Sequence, residues 1–267
     1  GFTADVEFDV ADDVGDLKAV MGTNDPASYL TEANSITVDN DGLGDRVVNA
    51  NDGAILAGFT ADVEFDVVDD ADAIALEVAG ASNSGDELNS VDANGVINTV
   101  VVSGGDVDTT EADAIQSISG YVGTASDYDI TDNAAALISA GDEVLNVAGV
   151  DIVTASDTSV NANIGGDLAG FTAEIEFDVV DNAAGLIAEM GGADVAGHLT
   201  EANSITVDDT QTGSVVNAND GAILAGFTAD VGFDVVDTAD NIALEVAGGS
   251  NSGDELNSVD ANGVINT

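Results

Sequence analysis

The chain contains near-copies of itself, and that constrains its fold more than any local propensity. Residues 59–99 return as 227–267 with four changes, at positions 64, 70, 73 and 81, and residues 2–58 return more loosely as 171–226. Units that repeat on this scale stack on their neighbours, because one unit alone cannot bury its apolar face. A catalytic site needs one unique constellation of residues. A self-copying array supplies length, surface and multivalency instead.

Beneath the long period of 168–169 residues lies a shorter one. The motif Asp-[Val/Ile]-x-Asp recurs as Asp9/Asp12, Asp66/Asp69, Asp129/Asp132, Asp178/Asp181 and Asp234/Asp237, at intervals of 57, 63, 49 and 56 residues. Alternating apolar residues lead into or through each copy: Val6/Phe8/Val10, Val63/Phe65/Val67, Tyr128/Ile130, Ile175/Phe177/Val179 and Val231/Phe233/Val235. That period of two predicts a strand with one buried face. The second Asp is placed to cap a helix, where its carboxylate can take free first-turn amides and favour the helix dipole. Five residues beyond it stands an aliphatic anchor in every copy: Leu17, Ile74, Leu137, Leu186 and Ile242.

A second strand–helix pair completes the unit. Ser35–Val38, Ser204–Val207, residues 98–102 and residues 150–154 read as strands, each followed by a turn and a small helix ending near Gly, as in 49–58, its copy 217–226, and 109–118. Gly58, Gly170 and Gly226 stand where a left-handed C-cap would close a helix. Strands alternating with helices imply parallel pairing. The expected fold is therefore a β-rich α/β repeat solenoid of stacked parallel strands with short helices. It forms one continuous array over 1–267, with units near 1–58, 59–120, 121–170, 171–226 and 227–267. Two or three compact α/β domains in tandem are the alternative, which the near-regular spacing disfavours. Gly1–Ala4 matches Gly58–Ala61, so the chain reads as a window on a longer array.

Charge narrows the partners. Lys18 and Arg46 are the only strong bases against 52 acids, giving a net charge of -50. Yet 45% of residues are hydrophobic and mean hydropathy is +0.18, which argues for a folded chain rather than an acidic tail. Folding against such self-repulsion calls for screening by calcium, magnesium or concentrated salt. Nucleic acid and anionic membrane are poor partners, since both demand Lys and Arg. No apolar run is long enough for a membrane span. The absence of cysteine removes disulfides and thiolate metal sites.

The segments Asp234-Val235-Val236-Asp237-Thr238-Ala239-Asp240-Asn241-Ile242 and Asp129-Ile130-Thr131-Asp132-Asn133-Ala134-Ala135-Ala136-Leu137 resemble the V-x-D-T-A-x-x-I repeats of very large secreted bacterial proteins. That resemblance implies an adhesin, S-layer-like or other cell-surface structural protein, of a kind often associated with calcium-binding haemolysin-type sections. The haemolysin-type nonapeptide itself is missing. Gly104-Gly105-Asp106 and Gly165-Gly166-Asp167 are fragments of it.

Two groups of aspartates are candidate calcium ligands. Stacking of equivalent strands would set Asp9, Asp66, Asp129, Asp178 and Asp234 in a ladder of about 4.8 Å per step. Bound divalent cations would relieve their repulsion, with Asp12, Asp69, Asp132, Asp181 and Asp237 nearby; the alternative is that water and salt suffice. The second group is Asp39-Asn40-Asp41-Gly42-Leu43-Gly44-Asp45, which opens like an EF-hand loop but has Ala50 at the closing position. A plain acidic turn is the plainer reading. His198 is the only histidine and is not repeated, so catalysis has little support.

The expected function is structural and non-enzymatic: a segment of a long extracellular bacterial or archaeal surface protein or filament (fibre, adhesin stalk, sheath or S-layer-like). It would be stabilised by cations and self-associate, with other cell-surface components as further partners. The alternative is an acidic repeat module that binds a carbohydrate or a partner-cell surface. Halophilic adaptation is a third source of the acidity.

Overall fold

The computed structural model describes residues 8–21, 33–58, 63–80, 88, 95–104, 106–118, 121, 127–190, 199, 201–208, 213–225, 231–247, 256 and 263–265. It divides into two compact units, Gly1–Ile130 with Asn146–Asp151, and Thr131–Leu145 with Ile152–Thr267. Both are α/β, with parallel strands curled into half-barrels and joined by short helices.

The first unit runs β1 (Asp9–Asp12), α1 (Val14–Met21), β2 (Ser35–Val38), β3 (Val47–Val48), α2 (Ala50–Ala57), β4 (Val63–Asp69), α3 (Ala71–Val78), β5 (Gly95–Val102) and α4 (Thr109–Ser117). β1 pairs with β2, placing Asp9 opposite Ser35. β2 then lies along the first half of β4, with Ile36 opposite Val63. β3 takes the second half, with Val47 and Val48 opposite Asp66 and Val67. β5 pairs along the whole of β4, starting with Gly95 opposite Val63.

The division between units falls inside β6 (Tyr128–Asp132) and β7 (Val150–Ala155). The second unit continues with α5 (Ala134–Ala140), α6 (Asp142–Leu145), α7 (Ala162–Leu168), β8 (Ile175–Glu176), β9 (Asp178–Asp181) and α8 (Ala183–Met190). It ends with β10 (Ser204–Val207), β11 (Val215–Val216), α9 (Ala218–Ala225), β12 (Val231–Val235), α10 (Ala239–Val246) and β13 (Gly263–Ile265). The pairing of β9 to β13 follows that of β1 to β5. Asp178 faces Ser204, Ile205 faces Val231, Val215 faces Asp234, and Val231 faces Gly263.

Strand alternation sets the core. In β4, Val63, Phe65 and Val67 are fully buried, while Glu64 and Asp66 on the opposite face are half-exposed. Burying each such apolar side chain contributes about 1.5–3 kcal/mol. The helices are too short to be stable alone, since isolated helices under about 12–15 residues are marginal. They persist because each drops its fourth residue into the core. Leu17, Ile74, Leu137 and Leu186 are buried as expected, and Ile242 is half-buried against Ala218, Ala222 and Leu256.

The intervening helices carry a small fourth residue instead, and their neighbours show why. A Cβ on Gly53 would lie 3.1 Å from both Phe65 and Leu88 and 3.2 Å from Val67. One on Gly165 would lie 2.9 Å from Val179 and Leu199 and 3.2 Å from Phe177, and one on Gly221 would meet Val235, Leu256 and Phe233 at 3.0–3.3 Å. A large aromatic on the strand thus matches a missing side chain on the helix above it. In α4 the fourth residue is Ala112, and Tyr128 replaces Phe, its hydroxyl accepting from the Gln116 side chain at 2.9 Å.

At Gly58 and Gly170 the expected left-handed C-cap is not formed. Gly58 has φ -77°, and Ala169, not Gly170, is the C-cap of α7. At Gly170 the constraint is space, because a Cβ would sit 3.2 Å from the Asp167 carbonyl oxygen. Gly226 lies outside the described residues.

Candidate functional site

The second aspartate of each motif does not cap the helix that follows it. The cap is the next residue. Asp70 accepts from the Ala73 amide (2.8 Å), Asn133 from Ala136 (3.0 Å), Asn182 from Gly185 (3.0 Å), Asp13 from Asp16 (3.0 Å) and Thr238 from Asn241 (3.3 Å). The displaced motif aspartate reaches backwards. One oxygen of Asp69 accepts from its own Asp70 amide and the other from the Ala50 amide, the first of helix α2, both at 3.0 Å.

Asp181 takes the Ala162 amide at 3.0 Å, and Asp237 takes the Ala218 amide at 3.1 Å. In the intervening layers Asp157 caps Ala134 (2.6 Å) and Asn40 caps Val14 (3.1 Å). Each of these side chains staples a helix start to the strand layer that follows it. The physical basis is the set of unsatisfied amides at a helix N-terminus and the favourable dipole there. Asp237 also accepts from the Asn241 side chain, and that bond, with the Ala218 and Thr238 amides, holds its carboxyl below the ordinary carboxylate range.

The first aspartate of the motif pairs across the sheet with a hydroxyl. Ser35 donates to Asp9 (2.9 Å), Thr99 to Asp66 (2.6 Å), Ser204 to Asp178 (2.6 Å) and Ser214 to Asp234 (2.9 Å). For Asp129 the backbone carbonyl accepts from Val107 at 3.0 Å. Between Asp9 and Asp66, and between Asp178 and Asp234, the expected ladder with one aspartate per step is not built. β2 lies between β1 and β4, and β10 lies between β9 and β12. Asp9 and Asp66 are thus two strands apart and also out of register, because Asp9 lies opposite Ser35 while Ile36 lies opposite Val63, three residues before Asp66; Asp178 and Asp234 are offset in the same way.

The Asp39–Asp45 segment closes on its own backbone. Asp39 accepts from the Gly44 amide (2.8 Å), and Asp41 from Leu43 (2.8 Å) and Asp45 (3.2 Å), with Gly42 and Gly44 at positive φ. The Gly44 amide keeps the Asp39 carboxyl below its usual range. Among the described residues, one group of three acidic side chains gathers within 4.8 Å: Asp12, Asp13 and Asp16, all exposed at the start of α1. Its all-oxygen donors suit a hard cation. Two of the three already accept helix-start amides, Asp12 from Asp13 and Asp13 from Asp16.

Carboxyls elsewhere are also engaged in packing. At Asp142 desolvation raises the pKa, but hydrogen bonds from the Thr172 hydroxyl and the Ala173 and Thr172 amides outweigh it and lower it. Desolvation, with Asp72 adding to it, pushes the Glu111 carboxyl up. Glu77 is buried at the end of α3 and accepts from the Asn51 side chain at 3.3 Å. Lys18 pairs with Asp52, and Arg46 with Glu64 at 3.1 Å.

A cleft of about 310 Å³ in the second unit is lined by Asn182, Ala183, Ala184, Val207, Val215, Val216, Asn217 and Asp220. In the first unit Asn40 bridges the corresponding place, accepting from Val14 and donating to the Val47 carbonyl. His198 lies outside the described residues. Among those described, no helix is long and apolar enough to cross a membrane.

The staples and hydroxyl pairs escaped sequence reasoning, although a signal existed. The residue after every motif is Asp, Asn or Thr, each a capping type, and Ser stands at the same place in both Ser-Ile-Thr-Val strands. No protein-family model matches this chain, and neither a curated protein nor a solved structure was found to match it.

Proposed function

We propose that the chain is a structural segment of a long extracellular surface protein or filament, built as an α/β repeat solenoid and without catalytic function. The observation that carries this reading is how the repeated polar residues are used. They bond one layer to the next, as Asp69, Asp181 and Asp237 do to the helix starts at Ala50, Ala162 and Ala218. The differences between the near-identical blocks follow the same logic. Glu64 becomes Gly232 where its partner Arg46 has become Ser214, which donates to Asp234 instead. Asp70 becomes Thr238 and still caps its helix, while Ala73 becomes Asn241, which donates to Asp237. Three of the four changes thus keep or replace an internal contact, as expected when the selected property is the stack itself.

Cations have a clear role in such an array. With a net charge of -50, screening lowers the cost of compaction, and divalent ions can bridge acidic faces of neighbouring molecules. Filaments follow from heterologous contacts that do not close. Electron microscopy of chains carrying one, two and three copies of the 168-residue period is the test, run in potassium and in calcium at equal ionic strength. Rods lengthening in proportion to copy number support the reading. Globular particles, or specific glycan binding by the single copy, overturn it.

A further inference from the structure

The chain has three Asp-Gly bonds, at 41–42, 52–53 and 220–221. In such a pair the glycine nitrogen can attack the aspartate Cγ, because glycine has no Cβ to block the approach and a five-membered ring results. The fold decides which of the three is able to react.

Two are held back. The Gly53 amide donates to the Asn49 carbonyl and the Gly221 amide to the Asn217 carbonyl, both at 2.9 Å and within helices α2 and α9. Each of these glycines is packed against a phenylalanine, Phe65 or Phe233. Their aspartates are engaged as well, Asp52 with Lys18, and Asp220 with the Asn217 side chain at 2.8 Å.

The turn at 41–45 differs on each count. Asp41 to Asp45 are all exposed, and a Cβ added to Gly42 or Gly44 would meet nothing within 4 Å. Gly42 has φ 69°, a conformation that glycine enters without a steric penalty. Asp41 Oδ1 accepts from the Leu43 amide at 2.8 Å and the Asp45 amide at 3.2 Å. Two donors therefore stand where negative charge develops when Cγ is attacked. The Asp39 carboxylate, fixed by the Gly44 amide at 2.8 Å, has the Gly42 amide and the Asp41 carboxyl within hydrogen-bonding reach. It is placed to act as a general base.

We propose that Asp41 is a modification site, at which the folded turn promotes isomerisation of aspartate to isoaspartate. The Gly42 nitrogen bonds to Cγ of the protonated Asp41 carboxyl while Asp39 takes the N–H proton. Asp39 returns that proton to the departing hydroxyl, which leaves as water, and a succinimide remains. Water then adds to the Asp41 main-chain carbonyl carbon and breaks its bond to the Gly42 nitrogen, so the chain is linked through Cγ. One water is lost and one is gained, with no oxidant and no net change in mass. The added backbone methylene draws the carboxyl away from the Leu43 and Asp45 amides. It does so beside Asn40, which ties Val14 to Val47. In the second copy the turn reads Asp208-Asp209-Thr210-Gln211-Thr212-Gly213 and contains no Asp-Gly bond.

The test is incubation of the full chain in water enriched in heavy oxygen, since hydrolysis of a succinimide leaves one heavy oxygen on the residue. After transfer to ordinary water, trypsin cuts at Lys18 and Arg46, and electron-transfer fragmentation places the label and distinguishes isoaspartate from aspartate. Label at Asp41 should exceed that at Asp52 and Asp220 at least tenfold, and Asp39→Asn should lower it several-fold. In urea the three bonds should label comparably. No label at Asp41, equal label at the three bonds of the folded chain, or undiminished label in the Asp39→Asn chain overturns the proposal. A preference for Asp41 that persists in urea also overturns it, because it assigns the reaction to local sequence.

Discussion

Asp69 offers the sharpest test of the staple. Replacing it by alanine removes both acceptors and leaves the Ala50 amide without its carboxylate at the start of α2, where Ala50 is fully buried. A buried donor left unsatisfied costs about 1–3 kcal/mol, and losing a negative charge at a helix N-terminus adds about 0.3–1 kcal/mol. The Asp70 amide is exposed and recovers a bond to water. The expected loss is about 2 kcal/mol, or roughly 6–10 °C in Tm for a unit of this size.

Removing any acid also relieves self-repulsion in a chain of net charge -50. Melts should therefore be recorded by circular dichroism in 1 M KCl, where the screening length is about 3 Å. Asp113→Ala, on the exposed face of α4, is the control and should change stability by less than about 0.5 kcal/mol. Asp69→Asn keeps one acceptor and should fall between control and alanine. If Asp69→Ala melts with the control, the carboxylate does not hold the layers together and the reasoning fails.

Acid should act through the same groups. The unfolded Asp237 carboxyl titrates near 3.8 and the folded one lower, so its contribution is present above that value and is lost as pH falls through the folded pKa. Asp237→Asn should therefore flatten the acid limb of urea midpoints measured between pH 7 and pH 3 in high salt; an unchanged limb argues against it. Gly165→Ala should cost more than Gly53→Ala, since its Cβ meets Val179 and Leu199 at 2.9 Å against 3.1 Å for the closest contacts of Gly53. Overpacking of about 1–3 kcal/mol is there partly offset by a helix gain of about 0.5–1 kcal/mol, and chemical denaturation gives the order. A double-mutant cycle of Arg46→Ser with Glu64→Gly should return a coupling of only about 0.2–1 kcal/mol, because both side chains are 40% exposed. A larger value would show that the pair is shielded from solvent.

Strands and helix anchors were legible because their signals are local. Alternation along Val63, Phe65 and Val67 places three side chains on one face whatever lies beyond, and Leu17, Ile74, Leu137 and Leu186 mark the buried side of their helices in the same way. The cap was misread by one residue for a physical reason. Asp69 and Asp70 are both competent caps, and local sequence cannot decide which carboxylate turns toward its own helix. That choice is made by the Ala50 amide, 19 residues earlier in the chain.

By itself the sequence determined that the chain is built from repeated strand–helix units of alternating burial, since pattern and copy number need no partner to be read. Tertiary structure alone decided the work of the aspartates, the pairing of Asp9, Asp66, Asp178 and Asp234 with a serine or threonine, and the need for glycine over phenylalanine. Those depend on which layer lies next to which, and a recurring residue does not name the residue it meets in the neighbouring layer.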